Sequence, residues 1–159
     1  MEAEKPTTVT IIGFGASVLL ELRNVQQATE RWSINNSFAE YGYLPQRIIA
    51  MDDLRRDKDE YEKYVEAITH ASVPVFTSTA YDEWPMTVAF PLAEVLAAVA
   101  MPAALAPRVL TNSWCYAVAL AIKEGYRAIS LIGADFVSHD SWWEKAAAAA
   151  HLRPDDPDW

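Results

Sequence analysis

Thr7-Thr8-Val9-Thr10-Ile11-Ile12-Gly13-Phe14-Gly15-Ala16-Ser17 is the stretch on which the fold turns. Its first six residues are β-branched without a charge, which suits a strand buried on both faces. Two glycines then allow a tight turn, and Ser17 can cap the helix whose core stripe is Val18, Leu19, Leu22 and Val25. A strand, a glycine turn and a helix in succession make one β-turn-α unit, and the chain repeats it.

Trp32-Ser33-Ile34 alternates before Asn35-Asn36-Ser37, whose side chains compete for local backbone hydrogen bonds and favour a turn. Arg47 to Met51 is a third strand that delivers Asp52 and Asp53 at its carboxyl end. Tyr61, Tyr64, Val65 and Ile68 recur on one face of a charged helix, where plain packing accounts for the tyrosines. Val73 to Phe76 is a fourth strand, followed by a hydroxyl-rich loop, Thr77-Ser78-Thr79, that continues through Trp84-Pro85. Pro91 opens a helix carrying Leu92, Val95, Leu96 and Val99, which ends at Pro102. Ala103 to Pro107 reads as a linker. Thr111-Asn112-Ser113 caps a helix from Trp114 to Lys123, closed by Gly125, and Ala128 to Ile132 is a fifth strand ending at Gly133-Ala134-Asp135-Phe136.

Strands alternating with helices predict an α/β fold: a Rossmann-like three-layer sandwich with a mostly parallel sheet of about five strands. The 159 residues suffice for one such domain, read as 7–151, between a flexible N-terminus at 1–6 and an acidic tail at 152–159. With 52% hydrophobic and 22% charged residues the chain is not disordered. A net charge of −9 argues against non-specific nucleic-acid binding, which draws its affinity from lysine and arginine. No apolar run reaches membrane-spanning length, and a lone cysteine, Cys115, cannot form an internal disulfide, so the expected compartment is the cytoplasm. Assembly of several copies stays open.

In parallel sheets ligands bind outside the carboxyl ends of the strands, where the polar clusters of this chain converge. Gly13, Gly15 and Ser17 offer backbone amides and a helix start to an anion, although Val18 occupies the third glycine position of a dinucleotide fingerprint. Asn35 and Asn36 can donate and accept toward a base or sugar. Thr111, Asn112 and Ser113 form a second polar helix start, and Asp135 can accept from a ribose hydroxyl. Asp52 and Asp53 are candidates to hold Mg²⁺ with a ligand's phosphates, against the plainer reading of a solvated acidic loop. His139 beside Asp140 is a candidate general base.

The segment from Leu110 to Phe136, with Thr111-Asn112-Ser113 at a helix start and Gly133-Ala134-Asp135-Phe136 after a strand, resembles bacterial CMP-sialic acid-dependent sialyltransferases. There a Thr-Ser-Gly start leads through A-I-A-L-G-Y-K-E-I to G-I-D-F. The chain is also similar to flagellin-glycosylation and hydroxymethylpterin pyrophosphokinase-like proteins, and to tailed-phage proteins with a W-x-x-N … M-D-D … G-A-D layout. The likeness spans about residues 9 to 136 and is specific over 110 to 136. It implies nucleotide contacts from Gly13, Gly15, Ser17, Asn35, Asn36, Thr111, Asn112, Ser113, Gly133, Asp135 and Phe136, and metal contacts from the positions of Asp52 and Asp53. Asn112-Ser113 stands where the sialyltransferases have Ser-Gly, and their catalytic histidine and tyrosines fall beyond the G-I-D-F block. The expected function is therefore binding of a nucleotide or nucleotide-sugar, in a glycosyltransferase-like enzyme with Asp135 or His139 near the chemistry, or in a non-catalytic binding or assembly module.

Overall fold

Six parallel strands form the centre of the computed structural model, which describes residues 8–28, 30–58 and 62–134. The strands are β1 (Thr8–Ile12), β2 (Arg31–Ile34), β3 (Arg47–Ile49), β4 (Val75–Thr77), β5 (Thr87–Ala89) and β6 (Ala128–Ile132). Their order is β5-β4-β3-β2-β1-β6, so the chain steps outward from β1 to β5 and then returns to lay β6 on the other side of β1. The helices are α1 (Ser17–Gln27), α2 (Ser37–Tyr41), α3 (Leu54–Lys58), α4 (Glu62–Thr69), α5 (Leu92–Ala98), α6 (Ala106–Val109) and α7 (Ser113–Lys123), with a 3₁₀ turn at Ala103–Leu105.

The period-two geometry of strands divides the apolar residues between two faces. Val9, Ile11, Trp32, Ile34 and Ile49 meet the return path of the chain, packing with Val95, Leu96, Ala106, Leu110, Ala117 and Leu120 of α5 to α7. Their neighbours point the other way. Ile12 and Ile132 meet Val18 and Val25 of α1, while Ile48, Ala50 and Val75 meet Leu54, Val65 and Ile68 of α3 and α4. The result is the Rossmann-like three-layer α/β arrangement.

Several local expectations change. The sheet has six strands because Thr87–Ala89, read as part of a loop, pairs in parallel with β4. Three residues are too few to show alternation, and what makes them a strand is backbone pairing, Val75 N–H donating to Met86 O and Phe90 N–H to Thr77 O. Ala103 to Pro107 is coiled into the 3₁₀ turn and the start of α6 rather than a linker. Leu19 of α1 is 66% exposed, so the buried stripe of that helix is carried by Val18 and Val25. The side chain of Leu22 and all of Tyr61 lie outside the described residues.

A buried hydroxyl cluster ties β2 to the α1–α2 side. Ser37 Oγ lies 2.9 Å from both Ile12 O and Ser33 Oγ, and 2.6 Å from Tyr43 Oη. Removal from water pushes the Tyr43 phenol up to about 12, against the downward pull of the hydrogen bonds from Ser33 and Ser37. Burial shifts Tyr81 and Tyr126 in the same direction. An unfolded tyrosine ionises near pH 10, so between pH 10 and 12 the unfolded chain releases a proton that folded Tyr43 keeps. Stability is therefore fully present below pH 10 and falls as pH rises through that window, by at most about 1.4 kcal/mol per pH unit from this residue. Urea midpoints measured from pH 8 to 11.5 should stay flat and then drop. Tyr43→Phe should show a shallower drop, and an unchanged slope would remove Tyr43 as its source.

Candidate functional site

Because every strand runs the same way, the segments after β1, β2, β3, β4 and β6 all leave from one edge of the sheet. Helix α7 begins at that edge too, since Ser113 Oγ accepts from Met51 N–H just beyond β3 (3.3 Å). Gly13, Gly15, Ser17, Asn35, Asn36, Asp52, Asp53, Thr111, Asn112, Ser113 and Gly133 thus share one rim. Asp135, Phe136 and His139 lie outside the described residues.

The first glycine loop is closed rather than open. Gly13 N–H donates to Ile132 O and Gly15 N–H to Gly133 O, both at 2.9 Å, and both glycines are buried. Ser17 does not cap α1. Its Oγ accepts from Gly133 N–H at 3.1 Å, and Ala16 holds the N-cap position without a side-chain bond. The indole of Trp114 lies against Gly13, in space that any side chain at position 13 would need. The amides of Gly13 and Gly15 are thus engaged with the end of β6 and the residue after it, and the glycines serve close packing.

Polar capacity lies instead over β2 and β3. Asn35 sits in the left-handed region (φ +52°), which asparagine tolerates better than most side chains. That conformation accompanies a link from its Nδ2 to Asp52 Oδ2 (3.4 Å) and one from Ser113 Oγ to its Oδ1 (3.5 Å). Tyr64 Oη donates to the same Asp52 oxygen at 3.5 Å. Four side chains, from the segments after β2 and β3 and from α4 and α7, therefore form one chain of contacts, of which Asp52 is exposed and Asn35 half-buried. All are long for hydrogen bonds.

The two aspartates part company. Asp53 Oδ1 accepts from Arg55 N–H (3.1 Å) and Arg56 N–H (3.4 Å), starting α3, and from Tyr81 Oη at 3.4 Å. Among the described residues no three His, Cys, Asp or Glu side chains gather where a metal ion can sit. At the start of α7 the side chain of Asn112 accepts from Cys115 N–H (3.2 Å), and Thr111 and Asn112 are exposed beside it.

Sequence reasoning missed Tyr64 and Trp114. Tyr64 falls on the helical stripe that Val65 and Ile68 bury, and its spacing carries no sign that its hydroxyl reaches β3. Trp114 reads as the first apolar residue of a core helix, although its place as the second residue of α7 sets it over the glycine loop. No protein-family model, curated protein or solved structure matches the chain.

Proposed function

We propose that the chain binds a nucleotide or nucleotide-sugar at this rim, seated over β2, β3 and the start of α7 rather than in the first glycine loop. The observation that carries the reading is the Asn35–Asp52–Tyr64–Ser113 chain, which brings exposed and half-buried polar groups together beside a helix N-terminus. Each part has a matching chemistry. The 11-residue α7 directs backbone amides and the positive end of its dipole toward the rim, which favours a phosphate near Thr111 and Asn112. Asp52 can accept from the paired hydroxyls of a sugar, and the amide of Asn35 can both donate and accept. The half-buried indole of Trp114, beside the glycine loop, is the aromatic group on which a base would stack. The resemblance of residues 110–136 to CMP-sialic acid-dependent sialyltransferases supports a nucleotide-sugar as the ligand, and the chemistry of any transfer falls to Asp135 or His139.

Titration with CMP, UDP, GDP and CDP and their sugar conjugates, with and without Mg²⁺, tests the proposal. Asp52→Asn should weaken binding by about 10- to 100-fold, the worth of a hydrogen bond to a charged group, with little change in folding. Asn112→Ala should also lower affinity and cost about 1 kcal/mol of stability through the lost helix cap, whereas Asn112→Ser restores the cap. Turnover of a nucleotide-sugar would identify an enzyme; binding without product would identify a non-catalytic module. If none of these ligands binds, the rim is not a nucleotide site.

A further inference from the structure

The two flanks of α7 are unequally covered. Helical spacing puts Tyr116 and Lys123 on the flank toward α5, where Tyr116 meets Phe90 edge-to-face and Lys123 pairs with Glu94 at 2.8 Å. Trp114, Val118 and Ile122 recur every four residues on the opposite flank. Trp114 lies against Gly13 at the end of β1, so that flank looks toward β1 and β6. Strand register supplies the floor beside it. Val9 pairs with Ile129 and Ile11 with Leu131, and residues paired across neighbouring strands share a face, so Ile129 and Leu131 lie on the α7 side. Because α7 lies across β1, β2 and β3, with β2 in the middle, β6 stands two strand spacings away, roughly 10 Å. That matches the separation of two packed helices. The result is an apolar shelf one helix wide, on which Ile122 is 49% and Leu131 43% exposed.

We propose that residues 142–152 of this chain seat on that shelf, with Trp142 and Trp143 toward its rim end. Chain continuity selects this occupant, since residue 135 follows Ala134 at the rim where the shelf begins. The connections that step from β1 to β5 lie on one face of the sheet, and the return from β5 to β6 lies on the other, as a constant crossover handedness requires. A segment continuing outward from β6 keeps that hand on the α7 face. The other face of β6 offers it little, because Ala128 and Ser130 point there and Ile132 is already covered by Val18 and Val25 of α1. The sequence of the segment fits as well. Ser141-Trp142-Trp143-Glu144 is a capping-box pattern ahead of the strong helix formers Ala146 to Ala150. At helical spacing Trp142, Trp143, Ala146 and Ala150 share one side and Glu144 the other, giving large apolar rings at one end and small residues for close approach along the rest. Tethered to β6, the segment meets the shelf at an effective concentration on the order of millimolar, which a free partner has to exceed. Seven residues, 135–141, then link β6 to the seated tryptophans, which keeps Asp135 and His139 at the rim.

Trypsin cleavage after Lys145 of the full chain, followed by mass spectrometry, reads the docking. Its rate should rise by about 10-fold or more in Leu131→Glu and in Ile122→Glu, because cleavage follows the population of undocked segment and a carboxylate on the shelf opposes burial of the tryptophans. Trp142→Ala with Trp143→Ala should raise it to a similar extent. Adding Leu131→Glu to that pair should change little further, since both release one contact. The shelf positions are half exposed, so circular dichroism should show the fold retained, and the tryptophan pair tests the same contact without altering the sheet. Equal cleavage rates in wild type and every variant would overturn the proposal, as would fully additive effects. Protection of Lys145 that grows with protein concentration would also overturn it and assign the shelf to a second copy.

Discussion

Gly133→Ala is expected to destabilise the fold by about 2 to 4 kcal/mol, combining left-handed backbone strain with overpacking. Gly133 has φ +74°, a conformation that L side chains rarely adopt. A Cβ there would overlap Val18 Cγ2 and stand 3.1 Å from both the carbonyl carbon and oxygen of Gly13. The methyl of Val18 can shift, but the backbone of Gly13 is anchored by the bond from its own N–H to Ile132 O. Gly13→Ala should be damaging for the reciprocal reason, its Cβ entering the indole of Trp114 and lying 3.1 Å from Gly133 O. Chemical denaturation of Gly133→Ala alone and with Val18→Ala separates the causes. The second substitution should recover the overlap with the side chain and leave the backbone strain, a coupling readable in a double-mutant cycle. A Gly133→Ala protein within about 0.5 kcal/mol of wild type, the usual range for an unconstrained surface position, would refute this account of the loop.

That loop shows where sequence reasoning stops. A glycine after a strand marks a backbone that must turn or be approached closely, but the identity of what approaches is a property of the fold. Gly13 and Gly133 lie far apart in the chain, and the parallel pairing of β6 with β1 brings them together. The same pairing spends the amides of Gly13 and Gly15 on β6, which no local pattern announces. The layers and the parallel sheet were legible because Val9, Ile11, Ile48, Ile49 and Val75 form uncharged, β-branched runs separated by helical stripes. Strand β5 was not, because Thr87–Ala89 depends on β4 for its bonds. At the rim, Asn35, Asp52 and Ser113 could be placed at element ends one by one. Their mutual contacts follow from α7 crossing behind β1, β2 and β3, a consequence of the return from β5 to β6.

Trp32→Ala should have the largest effect in the molecule, about 3 to 5 kcal/mol, because a fully buried indole leaves both lost contacts and a cavity. Trp32 sits near the middle of the sheet on the α7 side, edge-to-face with Tyr126 at 5.5 Å between ring centroids. Its Nε1 donates to Glu30 Oε1 at 2.9 Å. The guanidinium carbon of Arg47 lies 4.9 Å from its ring centroid, and the same guanidinium pairs with Glu124 just beyond the end of α7. Removing the ring therefore withdraws the surface against which Arg47 is held, so part of the loss should fall on the ion pair that ties β3 to α7. Trp32→Phe keeps most of the volume and an aromatic face for Arg47 but loses the bond to Glu30, and should cost well under half as much. Arg47→Met in the Trp32→Ala background distinguishes the two contributions. If the pair is coupled to the ring, the second substitution adds less than it does in wild type. Strict additivity would show that the indole acts by filling space alone. Domains of this kind are stable by about 5 to 15 kcal/mol, so the single change can consume a third or more of the total. The α7 N-terminus, at the opposite end of that helix from Glu124, should then lose its fixed position beside Asn35, and affinity for the proposed nucleotide ligand should fall along with stability.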